Sequence, residues 1–184
     1  MDSEFHISID TVSGHPREER TVAELQQLLH DYDLSGLQWT DRVVVEFKAG
    51  AHSHPVLTLN TLHTGVRLLS TYVHEQMHWW VADHPGTTPA IADSKSMWPA
   101  VPSAEDGGAQ TEFSTRLHLI VCHLEHRAME QLLGDDCADL LLKVQIHGVP
   151  SYPWIRIQVG NHGSLLDGMS SAHDLWPGRL RPVR

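Results

Sequence analysis

The sequence predicts an α+β protein in which a small sheet is covered by helices. Segments with strand character come before residue 65, and helix-like periodicity dominates after it. Hydrophobic residues make up 41% of the chain and charged residues 20%, which is typical of a globular protein. A length of 184 residues favours one domain, with room for a small subdomain.

The first fifty residues predict a strand, a helix and a second strand. "FHISID" (5–10) alternates apolar and polar residues, as a half-buried strand does. Thr21 and Glu24 match a capping box, and the apolar spacing that follows predicts a helix ending near Gly36. "LQWTDRVVVEFKAG" is rich in β-branched residues and closes with Gly50, which predicts the second strand.

A third strand and a long helix follow. "HPVLTLNTL" has Pro55 at its start, which suits an edge strand because proline cannot donate to a sheet ladder. Gly65 opens "GVRLLSTYVHEQMHWWVADH", and this helix should stop before Pro85. Residues 84–110 are rich in Pro, Gly, Ser and Ala, so they are predicted to form a long surface loop.

The rest of the chain reads as mainly helical. Thr111 can cap a strong helix that Gly134 ends. "DDCADLLLKVQIHG" predicts another helix, "SYPWIRIQV" an extended segment, and "HGSLLDGMSSAHDLW" a short final helix. The predicted single domain therefore has a sheet with one long helix (1–83), a loop (84–110) and a helical half (111–184).

Charge and cysteine usage exclude several classes of protein. A net charge of −10 argues against binding to nucleic acid or an anionic membrane, which requires clustered Lys and Arg. No signal-peptide pattern and no apolar run of membrane-spanning length is present. Cys122 and Cys137 form no CxxC motif, so both are interpreted as reduced core residues of a cytoplasmic protein.

The motif that carries chemistry is "HEQMH" at residues 74–78. Residues four apart in a helix lie on one face about 6 Å apart, so His74 and His78 could bind one Zn²⁺ ion. Glu75 is turned by about 100°, from where it could act as the base for a metal-bound water. A shuffled chain with fifteen histidines would show this motif roughly 6% of the time, so its position on a predicted helix strengthens it.

The motif resembles the active-site helix of the zincin superfamily of metallohydrolases. The resemblance implies an antiparallel or mixed sheet whose edge strand, here "VLTLNTL", holds extended substrate before the active-site helix. The metzincin extension HExxHxxGxxH is absent, because Val81 occupies the glycine position and His84 is out of register. The gluzincin-like arrangement, in which a later helix supplies a glutamate ligand, matches better, although its Asn-Glu-x-x-Ser-Asp sequence is absent.

The helix after Thr111 offers two candidates for the third ligand. His118 and Glu125 are seven residues apart, so they lie within about 20° of each other beside the apolar face. An inward carboxylate needs a partner, which makes Glu125 the first choice as a ligand. His118 could be the ligand instead, or could bind substrate or the developing oxyanion. Alternatively, the two side chains bond to each other or to backbone within a core.

These residues predict a zinc-dependent hydrolase in which a metal-activated water attacks a peptide or amide carbonyl. Glu75 acts as the base, and His118 or Tyr152 stabilises the oxyanion. The predicted partner is a peptide or small-molecule substrate. Two alternatives remain: a metal-dependent lyase, cyclase or amidohydrolase of small-molecule metabolism, and a non-catalytic helical binding module with incidental histidines.

Overall fold

The protein is described here by a computed structural model that covers residues 7–148, 152–178 and 181–182. The chain divides into two compact units. The first extends to Trp80 and includes a short C-terminal strand, and the second comprises Val81–Gly178.

The first unit contains short strands and two helices. In chain order its elements are β1 (Ser8–Thr11), α1 (Pro16–Asp31), β2 (Tyr32–Asp33), a 3₁₀ turn (Ser35–Leu37), β3 (Arg42–Val45), β4 (Leu57–Leu59), most of α2 (Gly65–Asp83) and β5 (Arg181–Pro182). The strand predicted at residues 5–10 corresponds to β1, although its first two residues lie outside the described part of the chain. The long helix begins at Gly65 and ends before Pro85, as predicted.

The predicted antiparallel or mixed sheet is wrong, because the three-stranded sheet is parallel throughout. Its order is β1-β3-β4, with Ile9 opposite Val43 and Val43 opposite Leu57. A separate antiparallel pair joins β2 to β5. Helix α1 forms the crossover that a parallel β1–β3 pair requires, and residues 46–56 return the chain to the start of β4. Strand composition alone is compatible with either direction.

Strand β4 lies at the edge of the sheet, as predicted, but this edge is partly occupied. The Thr58 N–H donates to the carbonyl of His52 at 2.8 Å, and the His52 N–H donates to the carbonyl of Thr58 at 3.0 Å. On its other side, β4 pairs in parallel with β3 along its whole length. The loop before β4 therefore forms hydrogen bonds with the N–H and C=O groups of Thr58, which face away from β3.

Helix α1 begins earlier than the predicted capping box at Thr21 and Glu24. Its N-cap is His15, whose Nδ1 accepts from the Arg17 N–H at 3.1 Å. Glu18 completes the capping box by accepting from the His15 N–H at 3.2 Å. Glu24 instead accepts a hydrogen bond from the N–H of Gly65, the first residue of α2.

Glu18 also ties the start of α1 to the end of β3. Its carboxylate accepts from the Ser13 N–H at 2.9 Å, the Ser13 hydroxyl at 3.0 Å and the Phe47 N–H at 2.9 Å. Burial opposes ionisation, but the hydrogen bonds from Ser13, Phe47 and His15 outweigh it and lower the pKa of Glu18 to about 2. A lowered pKa in the folded state means that the ionised carboxylate stabilises the fold.

We expect Glu18→Gln to lower the melting temperature at neutral pH, because an amide cannot accept all of these bonds. The difference from the wild type should be complete above the ordinary glutamate pKa and should shrink as pH falls toward 2. Thermal unfolding across this pH range measures it. Glu19→Gln, at an exposed position on the same turn, is the control. A difference that stays constant with pH would contradict the assignment.

Within its described residues, the second unit contains helices and connecting loops but no strand. Its helices are α3 (Thr87–Met97), α4 (Glu112–Leu133), α5 (Asp135–Gly148), α6 (Pro153–Asn161) and α7 (Gly163–Ala172). Helix α4 is the central one, since it packs against the other four. Thr111 caps it through the Ser114 N–H, and Gly134 ends it with a φ of 83°, as predicted.

Three predictions about this unit are wrong. Residues 84–110 are not a continuous loop, because they contain α3. "SYPWIRIQV" is not extended: Pro153 occupies the first turn of α6, a position that suits its fixed φ. Cys122 is buried as expected, but Cys137 is exposed and does not belong to the core.

No helix in the described ranges combines the length and apolar character needed to cross a membrane.

Candidate functional site

The HEQMH motif lies on α2 with its two histidines side by side. The rings of His74 and His78 meet edge to face with centroids 5.0 Å apart. One ligand nitrogen of each ring lies within 4.8 Å of the other. His74 and Glu75 are buried and His78 is half-buried. The pair can therefore direct two imidazole nitrogens at one ion, with a carboxylate held in a largely dry position beside them.

Gln76 anchors this part of α2 within the first unit. Its Oε1 accepts from the Trp39 N–H at 2.9 Å and from the Thr40 N–H at 3.3 Å. Its Nε2 donates to the Thr40 carbonyl at 3.3 Å and to the Tyr72 hydroxyl at 3.0 Å. The Gln76 side chain is fully buried. Because buried amides are costly to leave unpaired, this network fixes the rotation of α2 and hence the direction of the motif.

Two tryptophans follow the motif and hold the end of the same helix. The Trp79 indole N–H donates to the Ser53 carbonyl at 2.8 Å, and its ring stacks on His54 at a centroid distance of 4.2 Å. The Trp80 ring lies 5.1 Å from Trp39. Both tryptophans are half-buried, so each also presents part of its ring to solvent. They fix the helix by packing and hydrogen bonding at once.

In the second unit, the His118 ring is held by a backbone group of its own helix. Its Nδ1 lies 2.7 Å from the Ser114 carbonyl oxygen. A carbonyl only accepts, so Nδ1 carries the proton and Nε2 carries the lone pair. Metal-binding histidines commonly donate their second ring N–H to a backbone carbonyl in this way. His118 is 8% exposed, so its side chain is buried.

Glu125, the first choice from the sequence as third ligand, is held by a buried ion pair. Arg156 Nη2 donates to Glu125 Oε2 at 3.2 Å, and Gln145 Nε2 donates to Glu125 Oε1 at 2.8 Å. Arg156 Nη1 also donates to Gln145 Oε1 at 2.7 Å, which closes the triad. Burial opposes the charge of Arg156, but the Glu125 carboxylate outweighs it and raises the pKa of Arg156 above its usual range.

The sequence predicted a metal ion as the partner of the Glu125 carboxylate, whereas the structure shows Arg156 as its ion-pair partner. Arg156 follows Glu125 by 31 residues and lies on α6, which was predicted to be extended. Pro153 three residues earlier is the local signal that favours a helix start there. With α6 recognised, Arg156 would have been a candidate partner on a neighbouring helix.

Tyr152 lies beside His118 in an uncommon backbone conformation. The two rings are 4.2 Å apart between centroids. Tyr152 has a φ of 60° and a ψ of 46°, the left-handed region that a tyrosine adopts at a cost of about 1–3 kcal/mol. The following turn is held by the Trp154 N–H, which donates to the Gly107 carbonyl at 3.2 Å. Such conformations are found more often at functional sites than elsewhere.

Gly107 permits this arrangement. Its φ is +94°, and a Cβ there would lie 3.1 Å from both Pro153 Cγ and the Trp154 nitrogen. A side chain at this position would push the start of α6 away and move Tyr152 with it.

The predicted site residues thus fall into three groups. His74, Glu75 and His78 are together on α2, and His118 and Tyr152 are in ring contact in the second unit. Glu125 has a ligand atom within 4.8 Å of the Cys122 sulfur, and its carboxylate is engaged by Arg156.

Comparison with known proteins adds no relative from which a role could be transferred. No family model matches the chain, and no curated protein and no solved structure matches it either. The assignment of a function therefore depends on the chemistry of the side chains described above.

Proposed function

We propose that this protein is a zinc-dependent hydrolase of the HExxH type in which His74, His78 and His118 hold the ion. The observation that carries the proposal is the edge-to-face pair of His74 and His78 on α2, with the buried carboxylate of Glu75 beside it. His118 is chosen as the third ligand because its Nδ1–H donates to the Ser114 carbonyl, as the second ring nitrogen of metal-binding histidines commonly does. Three imidazoles plus one open position are a common ligand set for catalytic zinc. When bound, Zn²⁺ supplies a Lewis acid that polarises a carbonyl and lowers the pKa of water toward neutrality.

Cys122 and Glu125 on α4, whose ligand atoms lie within 4.8 Å of each other, are the alternative source of a third ligand. Glu125 supports it less well, because Arg156 and Gln145 already donate to its two carboxylate oxygens. Recruiting Glu125 to a metal would leave the buried Arg156 without its counter-charge, which is costly. The sequence analysis favoured Glu125 as the third ligand. We propose His118 in its place.

The protein's own groups then have distinct roles. Glu75 accepts the proton of the attacking water, since its carboxylate follows the first ligand on the same helix and is buried. The Tyr152 hydroxyl donates a hydrogen bond to the oxyanion that forms when the carbonyl is attacked. The ring contact with His118 supports this role, because it places the Tyr152 side chain next to the proposed third ligand.

The sheet favours a compact amide as substrate over an extended peptide. Peptides that bind to a sheet edge use the outward N–H and C=O groups of the edge strand. In β4 those groups at Thr58 are already paired with His52. A substrate that needs only a reactive carbonyl and a few side-chain contacts is compatible with this edge, and a peptide added as a fourth strand is not.

The proposal predicts that the purified protein contains close to one zinc ion per chain. Elemental analysis of protein prepared without chelator, and again after zinc reconstitution and desalting, measures this content. Sub-stoichiometric metal after both treatments would favour the non-catalytic binding module instead.

Hydrolysis is separated from lyase or cyclase chemistry by the fate of solvent oxygen. A panel of small N-acyl amides and esters should be assayed in H₂¹⁸O. Unfolded casein should be included as the polypeptide substrate. Hydrolysis places one ¹⁸O atom in the carboxylate product, whereas elimination or cyclisation places none there. Zinc-dependent turnover without ¹⁸O incorporation would support the small-molecule lyase or cyclase alternative.

A further inference from the structure

A second candidate site lies in the second unit, where a pocket of about 450 Å³ opens between the segment after α3 and the start of α4. Its walls are mixed, with apolar surface from Pro99, Ala100, Val101, Pro102 and Ala109 and polar surface from Ser103, Gln110, Thr111 and Glu112. Arg116 also lines the pocket. Arg116 and His118 are two residues apart on α4, so they lie on nearly opposite faces of the helix.

The charge of Arg116 is buried and only partly compensated. Its side chain is 1% exposed. Nε donates to Glu112 Oε1 at 2.9 Å, and Nη1 donates to the Trp98 carbonyl at 3.0 Å. A guanidinium has five N–H groups, and among the described residues the remaining three have no hydrogen-bond partner. The carboxylate of Glu112 is itself 63% exposed, so solvent weakens its attraction to the cation.

The pocket wall is held in place by backbone hydrogen bonds. The Gly108 N–H donates to the Ser103 carbonyl at 2.7 Å, and the Ala109 N–H donates to the Thr115 hydroxyl at 2.8 Å. A Cβ on Gly108 would lie 2.1 Å from the Pro102 carbonyl oxygen, so glycine is required for this close approach. The pocket is therefore a formed feature of this segment and not an open stretch of loop.

We propose that this pocket binds a small carboxylic acid with a short apolar body. The free Nη N–H groups of Arg116 can donate two parallel hydrogen bonds to a carboxylate, the geometry for which arginine is best suited. The apolar part of the walls takes the remainder of the ligand out of water. A single negative charge suits the site, because Glu112 at its rim repels a more highly charged anion.

Binding of butyrate to the full-length protein tests this inference. Backbone amide shifts of residues 99–112 should report saturable binding, which separates this pocket from any carboxylate bound at a metal. The neutral isostere butyramide should bind at least about tenfold more weakly, because it cannot form charge-assisted bonds with Arg116. Arg116→Gln should weaken butyrate binding by a similar factor, whereas Arg20→Gln, at an exposed arginine of α1, should leave it unchanged.

Two further variants keep the test decisive if Arg116→Gln does not fold. Glu112→Gln removes the competing carboxylate and should tighten butyrate binding. Val101→Trp fills the pocket without changing Arg116, so it should abolish butyrate binding. Equal binding of butyrate and butyramide, tighter binding of inorganic phosphate than of butyrate, or no saturable shift in either wild type or Glu112→Gln would overturn the proposal.

Discussion

Replacing His74, His78 or His118 with alanine is expected to remove the stoichiometric zinc from the protein. Each imidazole contributes a direct bond to the ion, so its loss should weaken zinc binding by more than the roughly 10- to 100-fold typical of losing an outer-shell partner. Competition with a calibrated chelator at fixed pH measures the affinity, since ligand protonation competes with the metal.

Glu125→Gln is the variant that separates the two possible ligand sets. The amide preserves the shape of the side chain and one acceptor oxygen, and zinc binding should be unchanged if His118 is the third ligand. The variant should instead lower thermal stability, because Arg156 loses its buried counter-charge. His126→Ala on the same helix is a matched control, since His126 lies 3.5 Å from Glu130 and 3.6 Å from Asp139 and has no assigned ligand role.

The opposite pattern would refute the His118 assignment. If Glu125→Gln lost zinc while His118→Ala retained it, and circular dichroism showed both variants folded, the carboxylate ligand predicted from the sequence would be correct. Loss of zinc in neither variant would leave the His74–His78 pair without a third protein ligand from α4.

Glu75→Gln is expected to keep zinc and lose turnover. The glutamine matches the glutamate in size but cannot accept a proton, so the rate should fall by about 10²- to 10⁴-fold, the usual contribution of a general base. Steady-state kinetics on the amide identified in the substrate panel, together with zinc content, measures both properties on the same preparation. The loss should appear in kcat, because Glu75 acts on the attacking water and not on substrate binding.

Glu75→Asp and Tyr152→Phe sharpen this experiment. The shorter aspartate keeps a proton acceptor and should restore part of the activity that Glu75→Gln loses. Tyr152→Phe removes only the hydroxyl and should lower kcat without changing zinc content, if that hydroxyl stabilises the oxyanion. A Glu75→Gln protein with wild-type turnover would rule out the proposed base.

The sequence alone determined the features that depend on local signals. Helix α2 has its predicted bounds, because Gly65 permits the positive φ at its start and the helical conformation is disfavoured for the residue before Pro85. Helix α4 has the predicted cap at Thr111, whose hydroxyl accepts from the Ser114 N–H, and the predicted end at Gly134, which adopts a φ of 83°. The spacing of His74 and His78 follows directly from the helical period, so their proximity was predictable once the helix was assigned.

Only the tertiary structure decided features that depend on residues distant in the chain. The side-chain patterns of β1, β3 and β4 are compatible with parallel or antiparallel pairing. Their parallel pairing is set by the paths of α1 and residues 46–56, which connect the strands. The partner of Glu125 was equally hidden, because Arg156 reaches it only after α6 has packed against α4. Periodicity and capping act within one or two helical turns, whereas strand direction and buried ion pairing depend on which elements come together in the folded chain.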